Sequence, residues 1–135
     1  MAIRSLLRKV DGVRCLSPVS VSNNTAQTSA NVDTRGSESL LLVLTTAVLA
    51  DADATFDVAV EHSDTTTASD FSAVAAKDLL GSLDFDFDDD DVVKLASYVG
   101  GKRYVRVKVT PSNNTGASTF AVTAIKGHLN YSPAD

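Results

Sequence analysis

Lys102-Arg103-Tyr104-Val105-Arg106-Val107-Lys108-Val109-Thr110 alternates along its length. Val105, Val107 and Val109 fall on one side, with Arg103 at the solvent-near end of that side. Tyr104, Arg106, Lys108 and Thr110 fall on the other. Successive side chains of a strand point to opposite faces, so this period of two predicts a half-buried β-strand with an apolar inner face and a basic outer one. Gly100-Gly101 before it and Pro111-Ser112-Asn113-Asn114-Thr115-Gly116 after it are turn sequences.

Working outward, Thr55–His62 alternates too, with Phe56, Val58 and Val60 inward. Thr119–Leu129 places Phe120, Val122 and Ala124 on one side, and Gly127 is expected to kink it. Leu40-Leu41-Leu42-Val43-Leu44 does not alternate, as expected of a strand covered on both faces. Leu16–Val21, Thr25–Arg35 and Val92–Val99 read as further strands or extended segments. Ala50–Ala54 is a turn, and Leu83–Asp91 is an acidic loop that Phe85 and Phe87 could anchor. Seven or eight strands with turn signals between them predict an all-β, antiparallel β-sandwich. Jelly-roll and immunoglobulin-like strand orders both fit.

The domain plan is an N-terminal arm over 1–15 and a single β-sandwich domain over 16–135. In the arm, Ile3, Leu6, Leu7 and Val10 have the spacing of one face of a short helix. Arg4, Arg8, Lys9 and Arg14 oppose only Asp11 there, whereas the rest of the chain holds twice as many acidic as basic residues. With a formal net charge of −5, this is a poor nucleic-acid binder but suits an arm that docks on an acidic neighbour. Cys15 is the only cysteine, so no internal disulfide can form. The longest apolar run is too short to cross a membrane, and no signal peptide is expected.

No catalytic constellation stands out, and no enzyme is expected. His62 and His128 have no metal-type spacing. The run Asp84-Phe85-Asp86-Phe87-Asp88-Asp89-Asp90-Asp91 lacks the glycine and the bidentate glutamate of an EF-hand, so a solvated loop is the expectation and no metal or other cofactor is expected. The basic face of 102–108 has three readings: solvated, paired with acidic neighbours such as Asp57 and Glu61, or facing a partner subunit.

Several segments together resemble a family of small structural proteins of tailed bacteriophages, encoded among the head genes. They are Val32-Asp33-Thr34-Arg35-Gly36-Ser37-Glu38-Ser39; Val58-Ala59-Val60-Glu61-His62-Ser63-Asp64; Phe71-Ser72-Ala73-Val74 with Asp78-Leu79-Leu80-Gly81; Tyr98 to Val107; and Ala121 to His128. The Gly101-Lys102-Arg103-Tyr104-Val105-Arg106-Val107 piece is the most specific. The acidic run 84–91 has no place in that pattern.

The resemblance implies a capsid decoration (cement) protein that binds the outer surface of a phage head and stabilises it. It would be made in the bacterial cytoplasm and located on the virion. The implied partners are the major capsid protein and other copies of the chain, as a trimer. The contact residues would be Arg4, Leu6, Leu7, Arg8 and Lys9 in the arm, then Arg35, Arg103, Tyr104 and Arg106. The rivals are a head–tail connector, a tail component or a head-fibre base. A glycan-binding attachment module is the rival of another class; the absence of Trp counts against it.

Overall fold

The computed structural model describes residues 6–131. All its extended elements pair antiparallel, in two sheets that share one core. The first sheet has the order β1 (Val10–Val21), β11 (Ser118–Leu129), β4 (Ser37–Leu49), β9 (Val93–Tyr98), β7 (Leu79–Gly81). The second runs β2 (Gln27–Thr28), β10 (Tyr104–Ser112), β5 (Thr55–Ser63), β6 (Ser72–Ala73). Two short strands join it: β3 (Val32–Asp33) pairs with β10 and β8 (Phe85–Asp86) with β5.

That order decides between the two sandwich topologies. The last strand lies between the first and β4, and β9 follows β4. In the facing sheet, β10 lies between the β2/β3 segment and β5. Apart from the steps β2 to β3 and β5 to β6, the chain crosses between the sheets from one strand to the next, which gives the two interleaved Greek keys of a jelly roll.

The core follows the alternation. Val105, Val107 and Val109 of β10 are fully buried against Phe56, Val58 and Val60 of β5. From the first sheet come Leu40, Leu42 and Leu44 of β4 and Phe120, Val122 and Ala124 of β11. Phe56 and Phe85 stack at 4.4 Å, and Phe120 meets Phe56 edge-on at 5.8 Å. Phe85 therefore anchors the acidic loop in the core, while Phe87 is only half-buried.

Three expectations need correction. The arm does not extend to residue 15: residues 7–9 form a turn closed by Lys9 N–H on the Leu6 carbonyl, 2.9 Å, and β1 begins at Val10. A helix through Val10 loses to pairing with β11, which satisfies a whole row of backbone groups that one helical turn leaves open. Thr25–Arg35 is not one strand but two short ones. Between them Ser29 takes over the ladder, its Oγ accepting Val107 N–H at 2.8 Å. Gly127 stays in register with Val10 and Ser39, and it is His128 that turns, at φ 48°.

Candidate interaction surfaces

The basic face of β10 is largely spent inside the chain. Arg106 stands directly opposite Glu61 in register. Its Nε donates to Glu61 Oε1 at 2.8 Å, and its guanidinium covers the Phe71 ring at 4.2 Å. The two charged side chains are only 16% and 18% exposed. Arg103 forks onto Asp33 through Nε and Nη2, 3.0 and 2.9 Å, and lies over Tyr104 at 4.9 Å. Lys102 Nζ reaches Asp64 at 3.0 Å. Of the acidic neighbours named from the sequence, Glu61 is a partner; Asp57 faces Thr110 instead.

These pairs hold specific protonation states. The Arg103 hydrogen bonds bring the Asp33 carboxyl down to about 2 from 3.8, partly opposed by desolvation. In return Asp33 raises the Arg103 guanidinium. Lys102 lowers Asp64 in the same way.

The arm residues fall elsewhere. Arg4 lies outside the described residues. Leu6 and Leu7 are 67% and 63% exposed, and Arg8 and Lys9 are exposed beside them. Leu6, Arg8 and Lys9 border an open cleft of about 560 Å³ with Val10, Leu129 and Tyr131. Ser39 and His128, also on its border, are hydrogen-bonded to each other. Arg35 is exposed in the turn that leads into β4, at the same end of the sandwich. Gly36 makes that turn possible. It sits at φ 89° with the Tyr131 ring so close that a Cβ would come within 2.8 Å of it.

The aspartates of 84–91 gather at the opposite end. β8 pairs with Thr55 and Phe56 at the start of β5, and Asp91 N–H bonds the Ala47 carboxyl-end carbonyl of β4. Asp84, Asp86 and 88–91 are therefore brought to the end where Asp51 and Asp53 turn the chain. Part of this run is structural. Asp84 Oδ1 accepts Val58 N–H at 2.7 Å, and Asp89 Oδ2 accepts Asp86 N–H at 2.9 Å. Asp51 Oδ2 accepts Thr115 N–H, Thr115 Oγ1–H and Gly116 N–H, while its Oδ1 takes Asp53 N–H at 2.8 Å. Those N–H groups, Asp53's first, hold the Asp51 carboxyl far below its usual range. Among the described residues, no three His, Cys, Asp or Glu are placed to hold a metal ion.

Other reactive groups are tied into the framework. Cys15 is buried, its Sγ 3.2 Å from Ser29 Oγ, and burial raises its thiol. His62 Nδ1 meets Tyr98 Oη.

One surface escaped residue-by-residue reading. The outer face of the first sheet carries Ile125 of β11, Leu41 and Val43 of β4, Val93 and Leu95 of β9, and Leu80 of β7. Register places Ile125 beside Leu41, and Val43 beside Leu95. Leu80, Val93 and Leu95 are 61%, 61% and 54% exposed. From β11 to β7 the outward positions hold no charged residue; Arg14 stands at the β1 border. The non-alternating run Leu40–Leu44 announces a strand apolar on both sides, but in the single chain only Leu40, Leu42 and Leu44 are buried.

No protein-family model and no curated protein matches the chain. Solved structures with a similar fold include the CBM22-1–GH10 modules of xylanase 10B from Clostridium thermocellum, complexed with xylohexaose. The identity is 16% and the TM-score 0.45, over 74% of this chain and 18% of that one. Another is infectious bursal disease virus, Gx strain, at 14% identity and TM-score 0.47, over 92% of this chain and 34% of that one.

Proposed function

We propose that this chain is a non-enzymatic virion component, a decoration protein that binds the outer surface of a phage head and braces neighbouring shell subunits. The observation that carries this reading is the separation of charge along the jelly roll. One end presents Leu6, Leu7, Arg8, Lys9 and Arg35, all exposed, beside an open cleft. The other end presents the aspartates of 84–91. An apolar and cationic tip on an acidic body fits an acidic patch of the major capsid protein and orients the body away from the shell. The resemblance of the Gly101–Val107 strand to the phage head family supports the same reading. Arg103 and Arg106 drop out of the docking role because their charge is matched within the chain.

The test is binding to undecorated shells built of the phage's own capsid protein. Because β1 begins at Val10, the informative truncation removes residues 1–9 and leaves the strand whole. The truncated protein should keep its β-type circular dichroism spectrum and lose shell binding at concentrations that saturate with the full chain. Equal saturation by both would refute docking through the tip. Counting copies per virion separates decoration, at hundreds, from a connector or vertex role at about a dozen or fewer.

A further inference from the structure

We infer that the outer face of the β1–β11–β4–β9–β7 sheet packs against the same face of a second copy of this chain, with the two strand systems running in opposite directions. This goes beyond the decoration reading and does not depend on it.

The size of the face is right for a stable pair. Its five strands hold 12, 12, 13, 6 and 3 residues, each covering about 3.4 by 4.8 Å, which makes the face about 750 Å². A standard stable interface buries roughly 800 Å² per partner. Its centre is aliphatic, with Leu41, Val43, Leu95 and Ile125 adjacent in register, and its border at β1 is polar. An apolar centre inside a polar rim is the anatomy of a protein contact.

Charge selects the partner. Each copy carries −5, so most approaches between copies are repulsive. This face is free of charge between β11 and β7. A foreign acidic or basic surface gains nothing from it, while an identical face loses nothing. A two-fold axis lying in the plane between the sheets and across the strands adds a further match. It brings the end bearing Arg8, Lys9 and Arg35 of one copy beside the end bearing Asp86 and Asp88–Asp91 of the other. Face-to-face sheets of this kind interdigitate at about 10 Å. The pair so formed is a dimer, not the trimer implied by the family resemblance. Its two basic tips point in opposite directions.

Sedimentation equilibrium on the full chain tests this. At about 50 µM, well above the dissociation constant of a contact of this size, wild type should weigh twice 14.2 kDa. Leu95→Lys places two like charges in the centre of the contact at a site already half open to solvent. It should leave the circular dichroism spectrum unchanged and reduce the mass to that of one chain. Raising salt from about 0.05 to about 0.5 M screens the matched ends and should weaken the dimer several-fold. A monomeric wild type, a trimer, or a Leu95→Lys protein that keeps the dimer mass would overturn the inference. A dimer that tightens with salt would overturn its antiparallel arrangement. Shell binding is a separate measurement, so the two proposals fail independently.

Discussion

His62 Nδ1 and Tyr98 Oη lie 2.8 Å apart, and this hydrogen bond ties the second sheet to the first. The rings meet edge to face at 5.6 Å. Tyr98 Oη also accepts the Lys102 N–H at 3.0 Å, so one hydroxyl joins a backbone group and the facing imidazole. Burial raises the Tyr98 hydroxyl above its usual range. His62 thus serves as a clasp between the two sheets.

Tyr98→Phe removes that clasp while preserving the ring. It leaves a part-buried backbone N–H and an imidazole nitrogen without their partner. The expected cost is about 1–2 kcal/mol in urea unfolding, with an unchanged slope. A variant as stable as wild type would show that the bond adds nothing to sheet docking.

Arg106 of β10 and Arg103 just before it should differ in effect. Arg106 and Glu61 are mostly covered, and the guanidinium also lies on Phe71. Arg106→Ala strands a half-buried carboxylate and bares a ring, a loss of about 2 kcal/mol. Arg103 and Asp33 are each 43% exposed, so Arg103→Ala should cost about 0–1 kcal/mol despite its two-pronged geometry. Chemical denaturation of both variants side by side measures the difference. Equal losses would contradict the ranking by burial.

Sequence and structure agree where one face of a strand is buried and the other wet. β5, β10 and β11 alternate, and their buried residues are those the alternation names. The reading weakens where a side chain replaces the backbone ladder, as Ser29 does between β2 and β3, because no period marks such a break. It reverses at β9. Val93 and Leu95 alternate with Lys94, a phase that ordinarily turns aliphatics inward. Yet Ala96 and Tyr98 fill the core, and Lys94 reaches Asp89 at the acidic end, 3.6 Å away. That reversal hid half of the apolar face. At the tip, Leu6, Leu7 and Val10 have helical spacing over too few residues for the spacing to decide between helix and strand.

The acidic run should divide into structural and dispensable members. Asp84 takes the Val58 N–H at the edge of β5, beside the short β8 pairing. Asp84→Ala should therefore cost about 1.5–3 kcal/mol, as expected for a lost hydrogen bond to a charged acceptor. Asp90 is exposed, and Asp90→Ala should change stability by no more than about 0.5 kcal/mol. Thermal melts of the two variants decide this. If both are silent, the loop is held by Phe85 and its backbone hydrogen bonds rather than by the Asp84 carboxylate.

Acid should loosen the fold through carboxylates held ionised. Asp33 stands at about 2 in the folded chain against 3.8 when free of its partners. Its folded value is the lower one, so its contribution is present above pH 3.8 and disappears as pH falls toward about 2. Asp51 and Asp64 are lowered too and act with the same sign. Asp53 runs the other way: its hydrogen bond to Asp51 raises it, so what it adds is present at low pH and lost as pH rises. Three groups against one predict a melting temperature flat from neutral pH to about 5 and falling steeply below about 4. Arg103→Ala removes the main cause of the Asp33 shift and should make that fall shallower. Asp51→Asn removes the titrating carboxyl altogether while keeping an acceptor for Thr115 and Gly116, and should do the same. If neither substitution changes the slope below pH 4, the acid sensitivity belongs to other groups, and the bonding around Asp33 and Asp51 is not what protons undo.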